Sequence, residues 1–178
     1  MNPWHDLEPG SAKDLLAVIE IGVGMRTKYE LDKDTGLVRL VRILHGAVRY
    51  PVNYGIVPKT LSVDGDPLDI LVVTDESLLP GCIVATRLIG LLKMADHEGA
   101  DDKLLAVPLR DPEAEDLQGP DDLNGAFKKE LAHFFEVYTD LEGKTVRVPG
   151  YADRAAAEAA LKAAKARYKA AFKKAKKK

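Results

Sequence analysis

Three carboxylates crowd one short stretch of the chain, Asp64-Gly65-Asp66-Pro67-Leu68-Asp69-Ile70. Like charges held this close raise one another's pKa or destabilise the fold unless a cation sits among them. Ligands that are all oxygen select a hard divalent ion, magnesium, manganese or calcium, over zinc. Gly65 permits a tight turn and Pro67 stiffens the approach to Asp69, so the three side chains can be held at fixed separations. Asp, Gly and Pro also favour ordinary surface turns, which would account for Asp64 and Asp66. A turn does not account for Asp69, which opens the apolar run Ile70-Leu71-Val72-Val73.

A second acidic group follows at Asp96, Asp101 and Asp102 and closes on Lys103. Alone it reads as a solvated loop; beside the first cluster it reads as the second half of a multi-metal site. The same strand-rich region carries Lys28, Arg42, Tyr50 and Tyr54, with Tyr138 further on. Arg42 lies in a run of Val and Leu, where an uncompensated charge is costly to bury. Carboxylates that hold metals, with cations and phenols nearby, suit a phosphoanhydride: metals neutralise it and activate water, and Lys and Arg stabilise the departing phosphate.

The elements that must position these groups are strands first and helices last. Residues 16–21 form a short aliphatic run ended by Gly22 and Gly24. Residues 28–32 alternate polar and apolar, turn at Asp34-Thr35-Gly36 and continue as residues 37–43, the pattern of a hairpin with a Gly-containing loop. Further strands are predicted over 50–57, where Pro51 and Pro58 limit pairing, and over 69–74, 82–92 and 103–109. Such close spacing predicts an antiparallel barrel or sandwich rather than alternating β-α units. Residues 111–122, rich in acids and Pro, read as a surface loop.

Leu123, Phe127, Leu131, Phe134, Phe135 and Tyr138 recur at three- and four-residue intervals. They predict an amphipathic helix over 124–141 that packs on the sheet, capped by Asp122 or Asn124. From Ala152 onward the chain is rich in alanine and lysine and reads as a second helix. Leu161, Tyr168 and Phe172 give it a thin apolar stripe, and residues 173–178 are expected to fray.

No repeat or linker divides the 178 residues, so 1–178 reads as a single catalytic domain in which 152–178 is a Lys/Ala-rich helix and tail. The net charge of −2 hides a division: from Ala152 onward ten Lys and Arg face two acids, leaving 16 basic against 26 acidic residues before it. An acidic body repels phosphate-bearing ligands unless cations intervene. The basic tail reads as a solvated helix end whose charge suits the helix dipole. Cys82 has no partner for an internal disulfide and reads as a small buried side chain. The N-terminal residues lack the pattern of a secretory signal, and no apolar run reaches the roughly 20 residues of a membrane helix. The expected location is the cytoplasm, with no membrane and no nucleic-acid partner.

The segment from Asp64 to Ile70 resembles the signature of the soluble family I inorganic pyrophosphatases. Val18-Ile19-Glu20-Ile21, Lys28-Tyr29-Glu30-Leu31-Asp32, Tyr50-Pro51-Val52-Asn53-Tyr54-Gly55, Leu92-Lys93-Met94-Ala95-Asp96 and Ala132-His133-Phe134-Phe135-Glu136 resemble that family in order and spacing. The likeness spans roughly residues 17–151, and the layout is similar to the short bacterial form. It implies a mostly β fold with flanking helices, a five-stranded OB-type closed barrel. It also implies magnesium-dependent hydrolysis of pyrophosphate to two phosphates, several Mg2+ per site with Mn2+ as an alternative, and a homohexamer.

By the same resemblance, Asp64, Asp69 and Asp101 would hold activating magnesium, and Asp96 with Asp101 the magnesium that arrives with substrate. Asp66 would take the proton of the attacking, metal-activated water. Glu20 and Glu30 would form the outer acidic site. Lys28, Arg42, Lys103 and Tyr138 would hold substrate oxygens, with Tyr54 near the nucleophile. Spacing favours Asp101 over Asp102. The family usually has Lys directly after the tyrosine equated with Tyr138, whereas this chain has Thr139. That departure implies weaker substrate binding with the chemistry intact, relieved in part if Lys144 or Lys103 substitutes.

Three other functions fit less well. Zinc would need paired ligands, and His5, His45, His97 and His133 are scattered; His133 is expected in packing or subunit contact. A single-stranded nucleic-acid module needs a basic groove with aromatic platforms, but the body is acidic and 6% of residues are aromatic. A calcium-stabilised structural domain would need a regular calcium loop, which Asp64 to Asp69 does not follow.

Overall fold

Five of the strands close on themselves, and the rest of the chain decorates the ring. The computed structural model describes residues 1–96 and 99–172; His97 and residues 173–178, whose fraying was expected, lie outside the described residues. In chain order the elements are α1 (Pro3–Asp6), β1 (Gly10–Ser11), β2 (Asp14–Ile21), β3 (Thr27–Leu31), β4 (Val38–Ile43), β5 (Asn53–Val57), β6 (Leu68–Val72), β7 (Ile83–Asp96), β8 (Gly99–Ala100), β9 (Lys103–Pro108), α2 (Gly125–Val137), β10 (Arg147–Ala152) and α3 (Arg154–Phe172).

The ring runs β2-β5-β6-β9-β7 and returns to β2. Every pairing in it is antiparallel except β6 with β9. Closure leaves none of the five strands with an unpaired edge. β1 extends β2, while β8 and β10 extend β7. β3 and β4 form a separate hairpin. The architecture is the mostly β, OB-type barrel with flanking helices that the sequence implied.

Alternation along the strands feeds two cores. Leu71, Leu105 and Val107 join Leu131, Phe134 and Phe135 of α2 in one. Ile70, Val72, Leu104 and Ala106 join Ala157, Leu161 and Ala164 of α3 in the other. Successive side chains on a strand point to opposite faces, so Asp69 and Lys103 share the face of Leu71 and Leu105, toward α2.

Several boundaries differ from the sequence pattern. The strand expected from residue 50 begins at Asn53; Tyr50 is instead buried between the rings of Tyr54 and Phe134, at 5.9 and 4.8 Å, and Pro51 has no N–H to pair. β7 continues to Asp96 because β8, β9 and β10 all pair its far half. α2 stops at Val137, and a 3-10 turn over Asp140–Glu142 ends at Gly143 in the left-handed region (φ 73°). β10 carries no clear alternation, since a register shift interrupts it between Arg147 and Gly150. Asn124 caps α2 by accepting from the Ala126 N–H at 2.8 Å. Tyr168 and Phe172 of α3 pack on Trp4 and His5 of α1.

Candidate active site

The parallel register of Ile70 opposite Leu104 sets Asp69 beside Lys103. The Lys103 ammonium donates to Asp69 Oδ2 and to Asp101 Oδ1, each at 2.5 Å. Only 3% of Lys103 is exposed, and its ammonium lies 5.8 Å from the centre of the Tyr54 ring. Burial, and after it the charge of nearby Asp69, raises the Tyr54 phenol.

The acidic turn is pinned at both ends. The Ser62 N–H donates to the Asp66 carbonyl at 2.7 Å, and the Asp66 N–H to Asp64 Oδ1 at 2.9 Å. Gly65 between them takes φ 90°, a conformation that a side chain would strain. At the exit the Thr60 hydroxyl donates to the Val57 carbonyl at 2.6 Å and accepts from the Leu68 N–H at 2.9 Å. Asp64 and Asp66 are thus held at the exposed mouth, and Asp69 sits deeper.

The β3–β4 hairpin supplies the facing wall. Lys28 stands directly opposite Arg42 in its register, a like-charge pair that needs acids to relieve it. Lys28 pairs with Glu30 at 2.7 Å. Arg42 pairs with Glu142 and lies 5.9 Å from the centre of the Tyr138 ring. That pairing leaves Arg42 Nε and Glu142 Oε1 buried without hydrogen-bond partners among the described residues. Lys33, at the hairpin turn, reaches Asp66.

One cavity of about 260 Å³ gathers all twelve residues singled out in the sequence as catalytic, substrate-binding, metal-holding or outer acidic. Asp102 does not line it: that side chain pairs with Lys93 at 2.5 Å and accepts from the Met94 N–H at 3.1 Å. His133 is exposed on α2, so packing within the chain does not explain it. Lys33, Thr139 and Lys144 also line the cavity. Lys33 escaped notice because Asp32-Lys33-Asp34 reads as a charged, solvated turn. Glu142 escaped because its partner lies 100 residues away.

Carboxylate charge exceeds what the local cations neutralise. Burial pushes Glu20 up from 4.5 to about 8, against the Leu31 N–H that donates to it at 2.6 Å, and Asp69 and Glu30 raise it further. Burial likewise raises Asp101 to about 6 although Lys103 pulls it down. For Lys103 burial opposes the charge, but Asp69 and Asp101 outweigh it and keep the ammonium protonated. Burial raises the phenols of Tyr54 and Tyr138, so both remain O–H donors at neutral pH.

An all-oxygen set with surplus negative charge fits a hard divalent ion. Among the described residues, no three of His, Cys, Asp and Glu already converge on one point. Magnesium does not need such a cage, because it keeps several waters and takes one or two carboxylates together with phosphate oxygens.

A closed OB-type barrel with a cavity of carboxylates, ammonium groups and phenols defines a class, hydrolases that act on phosphoryl groups with divalent metal. The inorganic pyrophosphatase family model matches residues 17–169, and the chain belongs to that family. The inorganic pyrophosphatase of Streptomyces coelicolor is 47% identical over 152 residues, covering 85% of this chain and 93% of the relative. The solved inorganic pyrophosphatase from Thermus thermophilus superposes with a TM-score of 0.91 at 42% identity, over 95% of this chain and 99% of that one. The one from Helicobacter pylori gives 0.89 at 42%, over 92% and 99%. The activity is that of the family, hydrolysis of inorganic pyrophosphate, and the family is metal-dependent in general.

Proposed function

We propose that residues 1–178 act as a single catalytic domain that splits pyrophosphate into two phosphates with Mg2+, or Mn2+ in its place, in the cytoplasm and as a homohexamer. The observation that carries the reading is the convergence of all twelve residues on one cavity from β2, β3, β4, β5, β6, β7, the acidic turn, the approach to β9 and the end of α2. Asp64, Asp69, Asp96 and Asp101 would hold the ions, with Glu20 and Glu30 at the outer edge. Bound magnesium would neutralise pyrophosphate and make water acidic enough to attack at neutral pH.

The chain's own groups do the rest. Asp66, exposed at the mouth, accepts the proton of the attacking water. Lys28, Arg42 and Lys103 hold phosphate oxygens and stabilise the leaving phosphate, each exchanging an internal carboxylate for substrate. Tyr54 and Tyr138 donate their phenolic O–H groups, Tyr54 close to the nucleophile. For assembly, the support is exposed surface: Leu40, Val41 and Ile43 of β4, with Leu37 before it, are apolar and uncovered, and the polar His133 is exposed on α2.

Asp66→Asn tests the division of labour. It is expected to lower kcat by about 10²-fold or more while the magnesium dissociation constant, read by titration, stays within about threefold. A parallel loss of metal affinity would make Asp66 a ligand instead.

A further inference from the structure

Five cationic side chains line the cavity among the described residues, and four of them are already engaged. Lys28 is held by Glu30, Lys33 by Asp66, Arg42 by Glu142, and Lys103 by Asp69 and Asp101. The fifth, Lys144, is exposed and makes no ion pair among the described residues.

Its backbone, by contrast, is fixed. The Thr139 hydroxyl donates to the Lys144 carbonyl at 3.2 Å, and the Lys144 N–H donates to the Thr139 carbonyl at 3.3 Å. Gly143 makes the return possible: its φ of 73° lies in the left-handed region, and its N–H closes on the Asp140 carbonyl at 2.9 Å. Thr139 itself is 3% exposed and its hydroxyl is spent inside the loop, so this side chain brings no charge to the cavity.

We propose that Lys144 is a substrate-binding residue, an ammonium that holds a terminal phosphate oxygen of the diphosphate and that Thr139 positions by clamping the turn. The proposal rests on the pyrophosphatase reading of the cavity. The charge missing at position 139 is supplied five residues later, from the same loop. The other four cations share their charge with carboxylates of the cavity. Lys144 shares its charge with none among the described residues, and the terminal oxygen it holds is anionic before and during reaction. Its contribution is therefore made to the bound ground state as well as to the transition state, which is uniform binding. Uniform binding appears in KM and not in kcat.

The test is steady-state hydrolysis of magnesium pyrophosphate by Lys144→Met and Lys144→Arg, with calorimetric titration of inorganic phosphate into the magnesium-loaded proteins. Lys144→Met is expected to raise KM about tenfold with kcat within about threefold. It should also weaken phosphate binding about tenfold, with Lys144→Arg recovering most of both because it keeps the charge. An unaltered melting temperature is expected, since the side chain is exposed. Lys144→Met with the parent KM and phosphate affinity overturns the proposal, as does a fall in kcat at constant KM. If the parent protein fails to split pyrophosphate, the functional reading falls, and the phosphate titration alone still decides whether Lys144 is an anion ligand.

Discussion

Glu20 shows what crowding does to one side chain. Only 4% of it is exposed, and burial, with Asp69 and Glu30 adding to it, lifts the carboxyl from 4.5 to about 8. Between those values the folded, metal-free protein keeps a proton that the unfolded chain has already released. Stability therefore falls as pH rises through that window. Thermal melts in chelator from pH 5 to 8.5 are expected to show a decline in the parent protein that Glu20→Gln flattens. The difference should be on the order of a few kcal/mol; identical slopes would contradict the assignment. At this scale the sequence was legible where a residue offended its surroundings. Asp69 before an apolar strand did so, and it lies in the cavity. Lys33 and Glu142 did not, because each finds its partner 33 or 100 residues away, a distance that local pattern does not encode.

Among the elements, α2 ties the core to the site. Leu131, Phe134 and Phe135 anchor it in the core shared with β6 and β9, and Tyr138, in the cavity lining, is its C-cap. Phe135→Ala should remove about 3–5 kcal/mol of stability in chemical denaturation, because the ring is 1% exposed. A loss below about 1 kcal/mol would mean that the ring is not packed as described. The helix was legible from its apolar period, and the β3–β4 hairpin from alternation around a turn. β10 was not, since its register shift breaks the alternation, and the length of β7 depends on partners from three other parts of the chain.

For the molecule as a whole, strand spacing pointed only to an antiparallel barrel or sandwich, and the closed ring was implied by the family resemblance rather than by local pattern. β2 meets β7, and β6 runs parallel to β9, through contacts between residues far apart in sequence. That closure brings an acidic turn, a hairpin and a helix end around one cavity. The charge division has its meaning at this scale too. Carboxylates surround a site for a polyanion, a repulsion that divalent ions between them would relieve. Among the described residues no helix is long and apolar enough to cross a membrane. The most direct measurement is phosphate release from pyrophosphate by the purified chain, with magnesium and again with excess chelator. Rapid release that the chelator abolishes is the expected result. Release that persists without divalent ions, or none in their presence, would contradict the account.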